Sequence, residues 1–127
     1  MARPVGARGA GARSGSKGYL PDGGDLIWLS FDPQAGHEQA GRRPALVVSP
    51  AAYNGPSGLA FVCPITSQKK GYPFEVDLPP GLPISGVVLA DHMRSADWRA
   101  RRAERIARVG ATVLDEVRAR LAPVLGY

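Results

Sequence analysis

The chain has 127 residues, of which 44% are hydrophobic, so it can form one domain with a modest core. No apolar run approaches the ~20 residues of a membrane span, and no apolar segment follows the basic N-terminus as in a secretory signal. The single cysteine, Cys63, lies in an apolar run and is predicted to be a core residue. The sequence has only two histidines besides this cysteine, which argues against a structural zinc site. We predict a cytoplasmic protein without metal or cofactor.

The formal net charge of +5 is unevenly distributed along the sequence. Residues 1–18 contain four basic residues and no acidic residue, and the remainder contains 12 basic and 11 acidic residues. The same eighteen residues offer little side chain to bury, so we predict a disordered basic arm, followed by a folded domain over 19–127. The charge is compatible with a polyanionic partner but does not locate a binding site.

Short apolar stretches separated by turn residues predict a mainly β domain from Tyr19 onward. The predicted strands cover 25–31, 44–49, 59–66, 74–78, 86–90 and 103–109, with a strong turn at 54–58. Pro64 falls inside the third of these strands, which predicts an edge or a bulge there. This spacing is typical of a small, curled antiparallel sheet or half-barrel.

The hydrophobic period changes to 3.6 residues after Thr112, which predicts a C-terminal helix that caps the sheet. Five apolar side chains fall on one face of this helix: Leu114, Val117, Leu121, Val124 and Leu125. Pro123 should kink or end the helix in its last turn.

The loop 36–42 and the strand after it form the most informative segment. The loop carries three polar side chains, His37, Glu38 and Gln39. Pro44 disfavours helical backbone at Arg43, so Arg43 should stand at the entrance of a buried strand, facing the loop. A guanidinium there suits a phosphate, and Glu38 could orient it or take a proton. On these residues alone, a surface Arg–Glu pair beside a hairpin is the alternative.

A series of short motifs follows in order along the chain: Asp25-Leu26-Ile27-Trp28, Phe31-Asp32-Pro33, Glu38-Gln39-Ala40-Gly41, Arg43-Pro44, Val48-Ser49-Pro50, Tyr53-Asn54, Lys70-Gly71-Tyr72-Pro73-Phe74-Glu75-Val76, Val88-Leu89-Ala90-Asp91 and Asp97-Trp98-Arg99. In this order and spacing they resemble the MazF (MazF/PemK/Kid) toxins, although no single motif is specific. The resemblance runs from about residue 18 to residue 126 and leaves the basic arm outside.

The resemblance implies a small SH3-like antiparallel barrel of the CcdB/PemK type, with a C-terminal helix, that acts as a homodimer. It implies the toxin of a toxin–antitoxin system, neutralised by a MazE-type antitoxin. The implied activity is that of an endoribonuclease that cuts single-stranded RNA, usually mRNA, at short sequences without a ribosome or a metal ion. The ribose 2′-OH attacks the neighbouring phosphorus, which leaves 2′,3′-cyclic phosphate and 5′-OH ends.

The resemblance also implies three catalytic residues. By motif position, Arg43 and Thr66 match the family's catalytic arginine and threonine, and Glu38 matches an acidic loop residue. A fixed guanidinium and a hydroxyl suit a transition state that gathers negative charge on phosphorane oxygens. The general base stays open between Glu38 and Arg43 with a depressed pKa, and His37 is a third alternative because histidine titrates in the right range.

A predicted set of substrate-binding residues surrounds these three: Phe31, His37, Gln39, Ser67, Lys69, Lys70, Asp91 and His92. The lysines would meet flanking phosphates and Phe31 could stack a base, the alternatives being solvated lysines and a core aromatic. Asp91 and His92 could read base edges. His92 stands where some relatives carry glutamine, which bears on base preference rather than on the reaction.

Two other functions are compatible with the same fold. A CcdB-like toxin binds DNA gyrase without cutting RNA, and a non-catalytic barrel could bind RNA alone. The ordered set of Glu38, Arg43 and Thr66 favours the nuclease over both.

Overall fold

A computed structural model of the chain describes residues 18–30 and 41–127. The predictions for Phe31, His37, Glu38 and Gln39, and those for the arm up to residue 17, lie outside these ranges. Within them the chain forms an antiparallel sheet of seven strands and two α-helices. The predicted class, mainly β with a C-terminal helix, is confirmed.

The strands are β1 (Asp25–Ser30), β2 (Arg42–Val47), β3 (Leu59–Thr66), β4 (Glu75–Asp77), β5 (Val87–Leu89), β6 (Arg94–Asp97) and β7 (Glu104–Arg108). Helix α1 (Ala51–Ser57) connects β2 to β3, and helix α2 (Ala111–Val124) follows β7. A 3-10 turn, Ala90–His92, joins β5 to β6. Neither α1 nor β6 was predicted.

Strand β3 lies at the centre of the sheet, whose order is β4-β5-β3-β2-β1-β7. On the side away from β2, the first half of β3 pairs with β6, and its last two residues pair with β5. Pro64 falls between these two stretches, so its missing N–H coincides with the change of partner. The sequence predicted an edge or a bulge at Pro64. Strand β3 lies inside the sheet, but at Pro64 its side away from β2 has no paired residue in the described ranges. No pairing in the described ranges joins β4 to β7, so the sheet is open there.

Alternation along the strands divides the buried side chains into two clusters, one on each face of the sheet. One cluster includes Leu26, Leu46 and the inner face of α2. The other includes Ile27 and Val47 and is completed by Tyr19 and by residues that follow β6. The two clusters hold β2 and β3 from both faces and so fix the strand ends that carry the candidate site.

Helix α2 packs on the sheet through Val113, Val117 and Leu121. The predicted face began with Leu114, whereas the buried face begins with Val113. The prediction also included Val124 and Leu125, which are 52% and 55% exposed. The predicted face and the observed face both fit a period of 3.6 residues, so only the packing of α2 against the sheet determines which one is buried. Pro123 lies in the last turn, and the helix ends at Val124, as predicted.

Helix α1 occupies the segment in which the sequence predicted a turn. It ends at Gly58, whose φ of 74° is left-handed. Inside it Asn54 is fully buried, and its Nδ2 donates to the carbonyls of Pro21 (2.8 Å) and Ser49 (2.9 Å). Trp98 Nε1 donates to the carbonyl of Asn54 at 3.0 Å. This buried network stabilises a helix that the local residues do not favour.

Candidate active site

Strands β2 and β3 bring Arg43 and Thr66 together. Their antiparallel register pairs Ala45 with Pro64 and Leu46 with Cys63. Continued by two residues, this register sets Arg43 opposite Thr66, with both side chains on the same face of the sheet. Both residues line one groove, with a volume of about 1160 Å³.

The groove lies where β2 begins and β3 ends, and the segment 83–85 forms another wall. Four of the predicted site residues line it: Arg43, Thr66, Ser67 and His92. Gly41 lines it as well, and Glu38 and His37 precede Gly41 in the sequence, outside the described residues.

Arg43 and its neighbour Arg42 both line the groove, but their guanidiniums differ in their partners. The Arg42 guanidinium donates to Ser30 Oγ (3.1 Å), to the Arg102 carbonyl (3.4 Å) and to Glu104 (3.0 Å). Arg43 is exposed, and its guanidinium has no hydrogen-bond or ion-pair partner in the part of the chain that the structure describes. Because side chains alternate along a strand, the two arginines point to different faces of the sheet, and the described residues hold only the Arg42 guanidinium. Sequence reasoning did not single out Arg42.

Thr66 is half-buried at the end of β3 and pairs with Val87 of β5. Its Oγ1 accepts the backbone N–H of Gln68 at 3.1 Å. No acceptor for the hydroxyl hydrogen lies among residues 18–30 and 41–127, so that hydrogen can be donated to a ligand in the groove.

The loop after Thr66 is anchored by Glu75. Its carboxylate accepts the backbone N–H groups of Lys70 (3.0 Å) and Gly71 (2.8 Å). Partial desolvation acts to raise the pKa of Glu75, but these donors, the Tyr72 N–H and the nearby Lys69 charge outweigh it and lower the pKa. The ionised carboxylate therefore holds the loop that carries both predicted phosphate-binding lysines.

The remaining predicted contacts are on the surface. Lys69 forms an ion pair with Asp77 at 3.0 Å, and both side chains are exposed. Asp91 and His92 lie in the 3-10 turn, with 3.8 Å between His92 Nε2 and Asp91 Oδ1. His92 faces the groove, whereas Asp91 is not part of its lining. Because both side chains are exposed, this ion pair holds Lys69 only weakly.

Cys63 is fully buried in the core, as predicted. Burial, with a smaller effect of the Asp91 charge, raises the pKa of Cys63 to about 12. The thiol is therefore protonated at neutral pH and does not act as a nucleophile.

Comparison with known protein families identifies the family of the chain. The model of the PemK-like, MazF-like toxins of type II toxin–antitoxin systems matches residues 22–125. The chain belongs to this family. It is 48% identical over 108 residues to the endoribonuclease toxin MazF of Escherichia coli strain K12, which covers 85% of this chain and 96% of that protein. It is 43% identical over 105 residues to the endoribonuclease PemK of Escherichia coli, with 78% of each covered.

Solved structures of the PemK/MazF family share the fold. The crystal structure of MazF from Deinococcus radiodurans has a TM-score of 0.77 and 66% identity, over 86% of this chain and 99% of that one. A MazE–MazF crystal structure from the same organism has a TM-score of 0.79 and 64% identity, over 85% and 98%. The predicted family is confirmed.

This family member is an endoribonuclease toxin of a toxin–antitoxin system. The curated relatives are endoribonucleases, which favours the nuclease over the gyrase-binding and binding-only alternatives. In the described ranges, no helix is both long and apolar enough to span a membrane.

Proposed function

We propose that this PemK/MazF toxin cleaves single-stranded RNA, including mRNA, at short sequences, independently of the ribosome and of metal ions. The ribose 2′-OH attacks the adjacent phosphorus and the 5′ oxygen leaves, so the products carry 2′,3′-cyclic phosphate and 5′-OH ends. The observation that carries the proposal is one groove lined by both Arg43 and Thr66, in which the Arg43 guanidinium has no partner among residues 18–30 and 41–127 and the Thr66 hydroxyl can donate.

Arg43 and Thr66 suit stabilisation of the transition state. As the 2′ oxygen adds to phosphorus, negative charge grows on the non-bridging oxygens. Arg43 can donate two aligned N–H bonds to them, and the Thr66 hydroxyl can donate a third. No carboxylate among residues 18–30 and 41–127 pairs with Arg43, so these residues leave its charge available to the phosphate. In other enzymes such donors contribute roughly 3–4 kcal/mol each.

Two protons must also move, one from the 2′-OH and one to the leaving 5′ oxygen. We assign the first to Glu38, because a guanidinium holds its proton at neutral pH while a carboxylate can accept one. His37 is the second candidate. The second proton comes from solvent water, which protonates the 5′ oxygen as its bond to phosphorus breaks. The acidic limb of the pH–rate profile should disappear in Glu38→Gln and persist in His37→Gln. The reverse result would assign the base to His37.

The other proposed contacts extend along the RNA. The proposed residues in or next to the groove would contact bases and sugars. Lys69 and Lys70, in the loop that Glu75 anchors, would contact flanking phosphates. This set comprises Phe31, His37, Gln39, Ser67, Lys69, Lys70, Asp91 and His92.

We propose a homodimer in the cytoplasm and a MazE-type antitoxin as partner. A relative with 64% identity has been crystallised as a MazE–MazF complex. Because the groove presents the charge of Arg43, an acidic antitoxin segment could compete there with RNA. Sedimentation of the active toxin should give a dimer, and a monomeric active species would contradict this part.

The proposal is tested by incubating the protein with a sequence-diverse pool of single-stranded RNA in EDTA. We expect fragments with 2′,3′-cyclic phosphate and 5′-OH ends. Arg43→Ala and Thr66→Ala should each lower the rate about 100-fold or more. The matched controls Arg99→Ala and Thr112→Ala remove the same groups outside the groove and should keep the wild-type rate. Activity that EDTA abolishes, or a fully active groove variant, would contradict the proposal.

A further inference from the structure

We infer that Gly86 is a positioning residue, which sets the backbone of Thr66 and thereby the direction of its hydroxyl. The inference rests on the proposed role of Thr66 and adds a residue that lies on another strand connection. It concerns the residue just before β5, the strand that pairs with the end of β3.

Gly86 approaches the backbone of Thr66 more closely than any other residue type could. Its φ is +132°, and a Cβ built on it would lie 2.2 Å from the Thr66 carbonyl oxygen. The same Cβ would lie 3.1 Å from Ser67 Cα. The two atoms are backbone, so no side-chain rotation can relieve the contact.

Gly86 is also held from its other side. Its carbonyl accepts the backbone N–H of Leu78 at 3.0 Å, and the next residue, Val87, pairs with Asp77 of β4. A side chain at position 86 would therefore push on the Thr66 carbonyl rather than move away from it. To restore an ordinary contact of about 3.4 Å, the Thr66–Ser67 backbone would have to shift by about 1 Å.

Such a shift acts on the hydroxyl directly. Thr66 Oγ1 is oriented by the N–H of Gln68, two residues further on, so a displaced Thr66–Ser67 peptide changes both ends of that hydrogen bond. A displacement of about 1 Å in a catalytic group can lower a rate about 100-fold. Arg43 lies on β2, so RNA binding through its guanidinium should change little.

Gly86→Ala is compared with Gly81→Ala, which lies in the same connection and has a φ of +93° with nothing within 4 Å. Both variants strain the backbone, but only the first meets Thr66. The single-turnover rate is measured on a short RNA that contains a site cleaved by the wild type. Affinity is measured with the same RNA carrying 2′-deoxyribose at that site. We expect Gly86→Ala to lose about 100-fold in rate with affinity within about threefold, and Gly81→Ala to match the wild type.

The same change in the Thr66→Ala background separates positioning from general damage. If Gly86 acts through Thr66, adding Gly86→Ala to Thr66→Ala should lower the residual rate by no more than about threefold. An equal loss in both backgrounds, or a Gly86→Ala that behaves like Gly81→Ala, would overturn the inference and leave the role of Thr66 standing. Wild-type activity of Thr66→Ala would refute the proposed role of Thr66 instead.

Folding is checked by circular dichroism at the assay temperature. If Gly86→Ala is unfolded there, the rates are measured at low temperature in sucrose, which favours the compact state. A variant that does not fold under those conditions would make Gly86 a folding requirement and would overturn the positioning role.

Discussion

Arg42 and Arg43 are adjacent in β2, yet their guanidiniums differ in their hydrogen-bond partners. Arg42 joins three elements through Ser30, the Arg102 carbonyl and Glu104. Arg43 has no such partner in the described residues and opens onto the groove. A substitution at Arg42 should therefore affect folding, whereas one at Arg43 should affect the reaction.

Asn54 is the buried polar residue on which α1 depends. Asn54→Ala should lower the free energy of unfolding by about 3 kcal/mol, because it leaves the carbonyls of Pro21 and Ser49 buried without their donor. Denaturant unfolding measures this loss. The exposed Gln68→Ala serves as control and should change stability by less than about 0.5 kcal/mol. A loss at Asn54 as small as that of the control would show that water replaces the amide.

At the level of elements, the sequence predicts strands well where burial is continuous. The limits of β3 could be predicted because an apolar run fills it, and α2 follows from its period. Strand β6 could not, because only Ala96 of its four residues is buried. Helix α1 could not, since Asn-Gly-Pro-Ser-Gly favours a turn and the buried contacts of Asn54 come from distant segments.

In the candidate site, too, some residues could be found from the sequence and others could not. The sequence singles out Arg43 and Thr66 because the family resemblance and a chemical reason for each residue type point to them, and their catalytic roles stay predictions. The inferred role of Gly86 could not be predicted, because it depends on a close approach between β5 and β3. No local signal distinguishes Gly86 from Gly81, and only the fold places one of them against Thr66.

The loop between β3 and β4 should respond to pH through Glu75. Its pKa is lowered in the folded protein, so the anchoring it provides is fully present above the ordinary value of 4.5 and is lost as the pH falls through the lowered pKa. In an NMR titration the amide shifts of Lys70 and Gly71 should follow this carboxylate, with a midpoint below 4.5. Glu75→Gln should abolish the transition. A midpoint above 4.5 would contradict the anchoring.

Across the whole molecule, positive charge is concentrated in two segments. One is the arm at residues 1–18, and the other is residues 94–108, which contain six arginines and two acidic residues. Asp22 and Asp25 neutralise part of the second segment through Arg108. The arm has no acidic residue of its own, so it can add sequence-independent attraction to RNA.

Removal of residues 1–17 should leave the melting temperature unchanged but weaken the salt dependence of RNA binding. Up to four phosphate contacts would be lost, which lowers the slope of log K against log salt by up to about 3. Binding of a single-stranded RNA is measured at several salt concentrations. A full-length chain with Arg3, Arg8, Arg13 and Lys17 changed to Ser should behave like the truncation. An unchanged slope in both would show that the arm takes no part.

The pairing of β1 with β7 has a consequence for how the toxin is made. Asp25 and Arg108, 83 positions apart, are joined at 2.9 Å, and the strands that carry Arg43 and Thr66 lie between β1 and β5. We therefore expect the groove to take its final shape only when nearly the whole chain has left the ribosome, which releases the N-terminal part first. Chains stalled in translation near residue 92 should not cut added RNA. A growing toxin should spare the messenger that encodes it until synthesis is finished.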